Sequence, residues 1–448
     1  MIDEKLLLTA EEIRFAERCL EKAIEYGAQK ARASVAKSVS DEFKTLNGEL
    51  DSVTQCLDRG LSLNVFVDGR YGTFTTNRLD AAHLDDFVKE SIRAARLLEE
   101  DRCNDLPDPS RTAKDAINGD ELGLCDNEYA AVTPEQRKKT ALESSIFNEY
   151  KDKSLISEEG EYSDSVSDRL VLDTQGLRAR QSETSFSYGC ESTIKDVAGA
   201  KFSGYWWDRA SRLNDLDFKN ISNKAYSLAM SQAGPKSVKG GKYDIVVDPN
   251  CASTLLNPLL SALNAYSINQ KRSFLIDSLN KRVFCEGLCV IDDPRRKEEN
   301  GSRLFDAEGV SAIKAPIIEN GIIKEYFVST YMANKMGIAP TISTPSRPLL
   351  LPYRVNGGRD AILEYIGEGI LITGFNGGNS NPSTGAFSFG IEGFLFRNGK
   401  IVHPVREALL TGNFLDLWNS LEAAGNDSRR CMSKLIPTLA FSNADISA

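Results

Sequence analysis

LSLNVFVDGRYGTFT, residues 61–75, predicts a β-hairpin. Leu61–Val67 and Tyr71–Thr75 are rich in β-branched and aromatic residues, as strands are. Asp68-Gly69 between them fits a type I′ turn, because both central residues of that turn need positive φ. The same signal occurs in the second half at Asn320-Gly321 and at Asn398-Gly399. The sequence therefore predicts three hairpins, one in the first half of the chain and two in the second.

Helices are predicted around the first hairpin. Thr9-Ala10-Glu11-Glu12 is a capping box that starts a helix ending near Gly27. Residues 79–98 carry apolar side chains at helical spacing, and Thr133-Pro134 starts a third helix with threonine as its cap. Residues 164–172 and 184–190 are predicted strands. The fold class that follows is α+β, with helices and strands partly segregated.

Two domains are predicted from the length of 448 residues. Residues 234–241, GPKSVKGG, lack apolar periodicity and fit a linker. The expected boundaries are 1–235 for an N-terminal α+β domain with hairpins and helices, and 236–448 for a β-rich α+β domain. The second domain is predicted to open with a strand at 243–247 and a helix at about 251–263.

Charge and hydropathy exclude some partners. The net charge is −10 and the pI is about 5.1, so the surface repels phosphate backbones and nucleic-acid binding is not expected. The densest basic run, PRRK at 294–297, is followed at once by two glutamates and fits a solvated loop. The N-terminus lacks the apolar core of a signal peptide, and no apolar run approaches the ~18 residues of a membrane span. We therefore expect a cytoplasmic protein with no membrane association.

Histidine is nearly absent, which restricts the chemistry. His83 and His403 are the 2 histidines, and neither has local support for a Ser-His-Asp or Cys-His arrangement. The usual zinc motif, two histidines one helical turn apart with a glutamate, is missing. The 9 cysteines are scattered, and Cys285 and Cys289 lie on a predicted strand at 283–290, too far apart to share an ion. Buried reduced thiols fit this pattern best.

Two further segments keep alternatives open. Asp292-Asp293 and Asp306-Ala307-Glu308 could supply oxygen ligands to a hard cation, or could cap local backbone amides. The run GFNGGNS at 374–380 lacks the lysine of a P-loop and the spacing of a dinucleotide fingerprint. It fits either a tight loop with positive φ or an exposed backbone that a peptide can approach.

The second half of the chain contains GSRLFDAEGV at 301–310, IENG at 318–321 and STGAFSFGIEGF at 383–394. On these motifs it resembles the TldD/PmbA family, also called modulators of DNA gyrase. The resemblance continues through NGK at 398–400, HPV at 403–405 and TGN at 411–413, and VFVDGRYG at 65–72 extends it to the first half. Nearly the whole chain is covered.

The resemblance implies a cytosolic metalloprotease complex of two subunits that processes peptides or unfolded proteins. In that family the TldD-type subunit carries an HExxxH helix and a later cysteine, and the PmbA/TldE-type subunit does not. Here LLNPLLSA at 255–262 falls where HExxxH is expected: Asn257 and Ala262 stand at the histidine positions, Pro258 at the glutamate and Asn376 at the cysteine. We therefore expect no catalytic residue and no metal in this chain, whose C-terminal domain would be degenerate, with zinc or a similar metal in the partner.

Three hypotheses follow from these observations. The first is a non-catalytic PmbA/TldE-type subunit, inactive alone, that pairs with a TldD-like protein and helps to hold an extended substrate. Its peptide-binding candidates are Phe375, Asn376, Gly377, Gly378 and Ser380. The second is a regulatory protein that modulates DNA gyrase or toxin–antitoxin factors without proteolysis. The third is an independent enzyme that uses the acids near Asp292 and Asp306. Whether the chain alone forms a homodimer stays open.

Overall fold

The computed structural model of the protein describes residues 5–150 and 154–447. The chain divides into two compact units, one running to Ser231 and including Arg295–Ala312, the other comprising Gln232–Pro294 and the residues from Ile313 onward. The segment 295–312, expected in the second domain, therefore belongs to the first unit. Its backbone explains this: Ala113 N donates to Gly309 O at 3.0 Å, and Ser311 N donates to Arg111 O at 2.9 Å.

The first unit contains six strands and four α-helices among the described residues. In chain order they are α1 (Ala10–Glu25), β1 (Lys30–Leu46), β2 (Glu49–Val67), β3 (Arg70–Thr76), α2 (Ala81–Ala95), α3 (Pro134–Ser144), β4 (Leu155–Asp173), β5 (Arg178–Lys195), β6 (Lys201–Ala210) and α4 (Phe218–Ser231). The strands form one antiparallel sheet in the order β3-β2-β1-β4-β5-β6.

The predicted caps and the first hairpin are confirmed. Thr9 and Thr133 both form capping boxes, and Asp68 and Gly69 have φ values of 52° and 72° between β2 and β3. The helix predicted at 79–98 is shorter, because Asp80 caps it and it ends at Ala95. Three elements of the first unit were not predicted at all: β1, β6 and α4.

Glu12 of the first capping box is nearly buried and is held by three partners. Thr9 N donates to Glu12 Oε2 at 2.8 Å, Arg59 Nη1 lies 3.1 Å from Oε1, and Lys37 Nζ lies 3.7 Å from Oε2. Burial by itself raises the pKa of Glu12, but the hydrogen bonds from Thr9 and Arg59 and the charge of Lys37 outweigh it. The pKa of Glu12 is therefore lower than its ordinary value.

The second unit begins at Gln232, just before the predicted linker at 234–241, and its first strand begins at Gly241. Its elements are β7 (Gly241–Val247), α5 (Ser253–Ala262), α6 (Ala265–Asn269), β8 (Val290–Asp292), β9 (Ala315–Glu319), β10 (Ile322–Ile323), α7 (Thr330–Met336), β11 (Pro348–Leu350), α8 (Arg359–Ile366), β12 (Glu368–Ser380), β13 (Ala386–Arg397), β14 (Lys400–Asn413), α9 (Phe414–Asn419), β15 (Leu421–Ala424) and β16 (Leu439–Ser447). A small sheet has the order β10-β9-β8-β11, and the larger one has the order β14-β13-β12-β7-β16-β15.

The larger sheet closes on itself, because β14 also pairs with β16. Its interior and the helices packed on it share one apolar cluster that includes Leu255, Leu259, Phe389 and Trp418. Both predicted hairpin turns are confirmed, with φ values of 49° and 75° at Asn320 and Gly321 and of 50° and 70° at Asn398 and Gly399. The α+β prediction is confirmed in both units.

One local prediction is wrong, and one of the two alternatives left open for 374–380 is excluded. The strand expected at 283–290 begins only at Val290, because the chain turns between Cys285 and Leu288, whose N donates to Cys285 O at 3.1 Å. The tight loop considered for 374–380 is instead the outer half of β12. Among residues 5–150 and 154–447, no helix is both long and apolar enough to cross a membrane.

Candidate functional site

The outer half of β12 carries all the predicted peptide-binding residues. Its pairing with β13 is interrupted by two bulges, one between Ile372 and Gly374 and one between Phe375 and Gly378. Gly377 and Gly378 have φ values of 102° and 122°, a backbone that other residues adopt only with strain. Residues 376–380 are exposed. The glycines thus serve a bulged, exposed strand and not a loop.

One edge of this half-strand lacks a strand neighbour. β13 pairs with β12 as far as Ser380, whereas β7 pairs only with residues 370–372 on the other side. Within the part of the chain that the structure describes, no further strand pairs with residues 374–380 on that side. The open edge offers backbone N–H and C=O groups to an extended chain, the geometry of strand addition.

Asn376 is engaged with its neighbours on the sheet. Its Nδ2 donates to Glu392 Oε1 at 3.2 Å. The side chain crosses above Gly390, where an added Cβ would lie 2.1 Å from Asn376 Oδ1. Gly390 therefore makes room for the amide, and Glu392 fixes it. Glu392 was not predicted as a site residue; its signal in the sequence is the acidic residue in the run GIEGF, which pairs with the glycine-rich segment at Gly374.

A continuous row of phenylalanine rings starts on the exposed strand at Phe375. Phe375 meets Phe389 edge-on at 5.7 Å, Phe389 stacks on Phe387 at 5.3 Å, and Phe387 stacks on Phe414 at 4.6 Å. Phe414 then stacks on Phe274 at 6.0 Å. Such contacts add to the apolar burial and hold the rings in fixed positions. Beside them, Ser380, Ala386 and Ser388 line part of a shallow groove at the end of β12 and β13.

The helix at the expected HExxxH position, α5, packs into the core of the second unit. Leu255, Leu256, Leu259 and Leu260 of α5 are buried, and Trp418 Nε1 donates to Leu255 O at 3.3 Å. Asn257 is exposed, Pro258 is half-buried, and Ala262 is 2% exposed. Ala262 lies in the same apolar cluster against which Phe375 packs, so the helix and the exposed strand share one core.

The side chains at these positions do not fit a zinc site. A zinc ion in a protein needs about three ligands drawn from histidine, cysteine and carboxylate. Ala262 and Pro258 offer no donor atom, and the amides of Asn257 and Asn376 are weak ligands that cannot act as a base. Among the residues that the structure describes, no three His, Cys, Asp or Glu side chains are grouped closely enough to hold an ion.

The acids considered for a hard cation cap backbone amides instead. Asp292 accepts from Ser346 N at 2.8 Å and from Arg347 N at 2.6 Å. Asp306 Oδ1 accepts from Glu308 N at 2.8 Å and from Val310 N at 3.0 Å within its own loop. Both carboxylates are buried, at 3% and 1% exposure. Asp306 is therefore a local cap, whereas Asp292 holds backbone amides that lie 54 and 55 residues further along the chain.

The two histidines lie in separate units. His83 is in the first turn of α2, where its backbone N donates to Asp80 Oδ1 at 3.0 Å. His403 is in β14, and its Nδ1 lies 3.0 Å from Pro404 O. The 9 cysteines are free thiols. Burial raises the pKa of Cys251, near the start of α5, and so disfavours its thiolate.

Comparison with known proteins now identifies the class. The profile of the PmbA/TldA metallopeptidase C-terminal domain matches residues 240–448, that of the central domain matches 127–233, and that of domain 1 matches 31–95. A Bacteroides thetaiotaomicron protein, crystallised as a candidate modulator of DNA gyrase, is 38% identical with a TM-score of 0.93, covering 98% of this chain and 99% of that one. This chain belongs to the PmbA/TldD metallopeptidase family.

Further relatives indicate which branch of the family it represents. Metalloprotease PmbA of Escherichia coli O157:H7 is 24% identical over 439 residues, covering 95% of this chain and 96% of that protein. TldE of Thermococcus kodakarensis has the same fold, with a TM-score of 0.84 at 18% identity over 97% of this chain and 100% of that one. The chain is a PmbA/TldE-type member of the family.

Proposed function

We propose that this chain is the non-catalytic, metal-free subunit of a cytosolic peptide-cleaving complex, and that a TldD-type partner supplies the metal and the base. The donor set supports the proposal: by the family resemblance, Asn257, Pro258, Ala262 and Asn376 stand at the positions where a TldD-type subunit has its metal ligands and its base. Membership of the PmbA/TldD family supports the pairing with a TldD-type protein.

Within that complex we assign substrate holding to the open edge of β12. An extended peptide that pairs with residues 374–380 would gain backbone hydrogen bonds without any requirement on its sequence. The bulge at Gly377 supports this role, because an added Cβ there would meet no atom within 4 Å and therefore points into open space. Phe375 holds the strand in position through its edge-on ring contact with Phe389. A general edge of this kind suits unfolded substrates of varied sequence.

The test of the non-catalytic role is reconstitution with the TldD-type protein of the same host. Each protein is purified alone, and casein hydrolysis is measured for each and for the mixture. Hydrolysis is expected in the mixture and not with this chain alone. The matched control is a partner whose HExxxH glutamate is replaced by glutamine, which should abolish hydrolysis in the presence of the wild-type chain.

Two results would overturn the role. One is hydrolysis by this chain alone that persists with the disabled partner. The other is failure of the two proteins to associate, with peptide cleavage in the native host unaffected by deleting this chain. If DNA supercoiling were altered in that deletion strain, the regulatory hypothesis would replace the proteolytic one.

Substrate holding is tested in the active mixture with the double variant Asn376→Ala/Ser380→Ala. The backbone groups that would pair with the peptide remain, but Asn376→Ala removes the hydrogen bond to Glu392 that orders the exposed strand, worth about 0.5–1.5 kcal/mol, so KM should rise several-fold with kcat unchanged. Lys400→Ala, an exposed residue at the start of β14, is the matched control. An unchanged KM in the double variant would remove these residues from the substrate path while leaving the non-catalytic role intact.

A further inference from the structure

The half-buried carboxylate of Glu392 lies beside the exposed half of β12 and has one oxygen free. Asn376 Nδ2 donates to Glu392 Oε1 at 3.2 Å, whereas Oε2 accepts no hydrogen bond from the residues that the structure describes. No lysine or arginine among residues 5–150 and 154–447 forms an ion pair with this side chain. The carboxylate is therefore held in place by a neutral amide and keeps its charge available to a ligand.

The free oxygen of Glu392 borders an open space above Gly374. The two residues are paired across β12 and β13, and paired residues point to the same face of a sheet. Leaving aside the adjacent residues of the chain, a Cβ added to Gly374 would have one neighbour within 4 Å, Glu392 Oε2 at 4.0 Å. A side chain from outside can therefore lie across Gly374 and end at a carboxylate oxygen.

The open edge of β12 faces this space from the side opposite Glu392. Glu392 lies on β13, and a peptide on the open edge would lie on the other side of β12, about 4.8 Å from it. A short side chain of that peptide would stop at its own strand. The four-carbon stem of lysine, or the longer arginine side chain, can extend across the bare backbone of Gly374.

We propose that Glu392 is a specificity-determining residue of the substrate edge, which binds the ammonium or guanidinium of a lysine or arginine side chain that crosses Gly374 from a peptide paired with β12. The inference rests on the substrate-holding role proposed above and deepens it. Backbone pairing supplies hydrogen bonds to any sequence, and Glu392 adds a preference for a cationic side chain at one position.

The chemistry of the carboxylate favours this ligand. An ammonium or guanidinium can donate a charge-assisted hydrogen bond to Oε2 while Asn376 keeps Oε1 and so fixes the direction of the group. An aspartate or glutamate at the same position of the peptide would be repelled. The net charge of −10 adds a longer-range attraction for basic peptides.

Peptide binding to the full chain tests the preference without requiring cleavage. Short peptides of alternating serine and valine differ only at the central residue, which is lysine, norleucine or glutamate, and each has an N-terminus blocked by a fluorescent dye and an amidated C-terminus. Fluorescence anisotropy should give a dissociation constant about fivefold lower for the lysine peptide than for the norleucine peptide, and a higher one for the glutamate peptide. The preference should shrink at high salt, as expected of an ion pair.

Substitutions of Glu392 separate its charge from its shape. In Glu392→Gln the amide oxygen can still accept from Asn376, but the lysine and norleucine peptides should bind equally well. Glu392→Lys should reverse the preference and favour the glutamate peptide. The matched control is Glu364→Gln, which removes an exposed charge on α8 of the same unit and should keep the fivefold preference.

Three outcomes would overturn the inference. Equal binding of the lysine and norleucine peptides by the wild-type chain, or a preference that persists in Glu392→Gln, would do so and leave substrate holding intact. A norleucine peptide with a free N-terminus and its dye at the C-terminus distinguishes a terminal ammonium from a side chain: binding as tight as that of the lysine peptide would exclude the side chain as the selected group. Failure of every peptide to bind this chain or its complex with the TldD-type protein would overturn substrate holding and this inference together.

Discussion

The buried carboxylate of Asp164 offers the sharpest test of how the first sheet is stabilised. Its side chain is 0% exposed, and Arg137 beside it is 7% exposed. Asp164 accepts from Arg137 Nε at 2.6 Å and Nη2 at 3.1 Å, and from the hydroxyls of Tyr129 and Tyr162 at 2.7 Å each. Burial and the adjacent carboxylate raise the pKa of both tyrosines, so they remain hydrogen-bond donors. Four donors thus depend on one acceptor.

Asp164→Ala should destabilise the first unit by about 3–5 kcal/mol, because it leaves a buried guanidinium with Asp41, 3.6 Å away, as its remaining carboxylate partner. For a unit of this size the loss corresponds to roughly 6–20 °C in Tm. Scanning calorimetry on the full chain, with urea unfolding followed by circular dichroism, measures it. Asp86→Ala, an exposed helix position, should change stability by less than about 0.5 kcal/mol.

The double variant Arg137→Met/Asp164→Leu decides whether the unpaired charge causes the loss. Replacing both charges with apolar groups of similar size should recover much of the stability lost in Asp164→Ala. A loss of less than about 1 kcal/mol in the free energy of unfolding of the single variant would refute the reasoning, because burying Arg137 without the Asp164 carboxylate should cost more than that. A double variant less stable than the single would refute it equally.

Three further predictions concern packing, pH and thiol reactivity. Gly393→Ala should prevent the second unit from folding, because the added Cβ would lie 1.8 Å from a backbone carbonyl oxygen. Gly390→Ala meets the side-chain amide of Asn376 at 2.1 Å and its backbone oxygen at 3.3 Å, so it should cost about 1–3 kcal/mol, through displacement of the amide from Glu392, and still fold. Soluble yield and urea midpoints distinguish the two variants. The lowered pKa of Glu12 stabilises the folded state above the ordinary carboxylate pKa, and this contribution is lost as pH falls through the lowered value. Glu12→Gln should therefore lower the urea midpoint at pH 7 and not at pH 2, and a constant difference between those pH values would contradict this. Cys56 is exposed and should react with maleimide first in the native protein, whereas Cys19, whose pKa burial raises to about 12, should react only on unfolding; equal rates by mass spectrometry would contradict this.

The sequence predicted those parts of the fold whose signals are local. Turns such as Asp68-Gly69 and Asn398-Gly399 need only two residues with positive φ, and the caps at Thr9 and Thr133 need only residues within one helical turn. These features do not depend on what packs against them. Each was predicted with the correct position because the local backbone alone determines it.

Features that depend on longer-range packing could not be predicted from the sequence. β1 reads KARASVAKSVSDEFKTL, whose alanines and lysines disfavour strands, yet Ala31 and Ala33 are fully buried because α1 packs close to the sheet. Its place between β2 and β4 is a tertiary effect. The glycine run at 374–380 was ambiguous for the same reason: only its pairing with β13 makes it a strand.

The candidate site was predicted residue by residue but not as an arrangement. The resemblance supplied the positions of Asn257 and Asn376, and they stay predictions in their roles. The hydrogen bond from Asn376 to Glu392, the space left by Gly390 and the open edge of β12 needed the structure. Side-chain pairing across a bulged hairpin cannot be found from spacing because each bulge shifts the register.

Metal content of the purified chains tests the central claim most directly. Elemental analysis by mass spectrometry, after dialysis against a weak chelator, is applied to this chain alone and to its complex with the TldD-type protein. The proposal predicts no stoichiometric transition metal in this chain and about one ion per complex. One tightly held zinc ion per molecule of this chain alone, lost in Asn376→Ala, would contradict it.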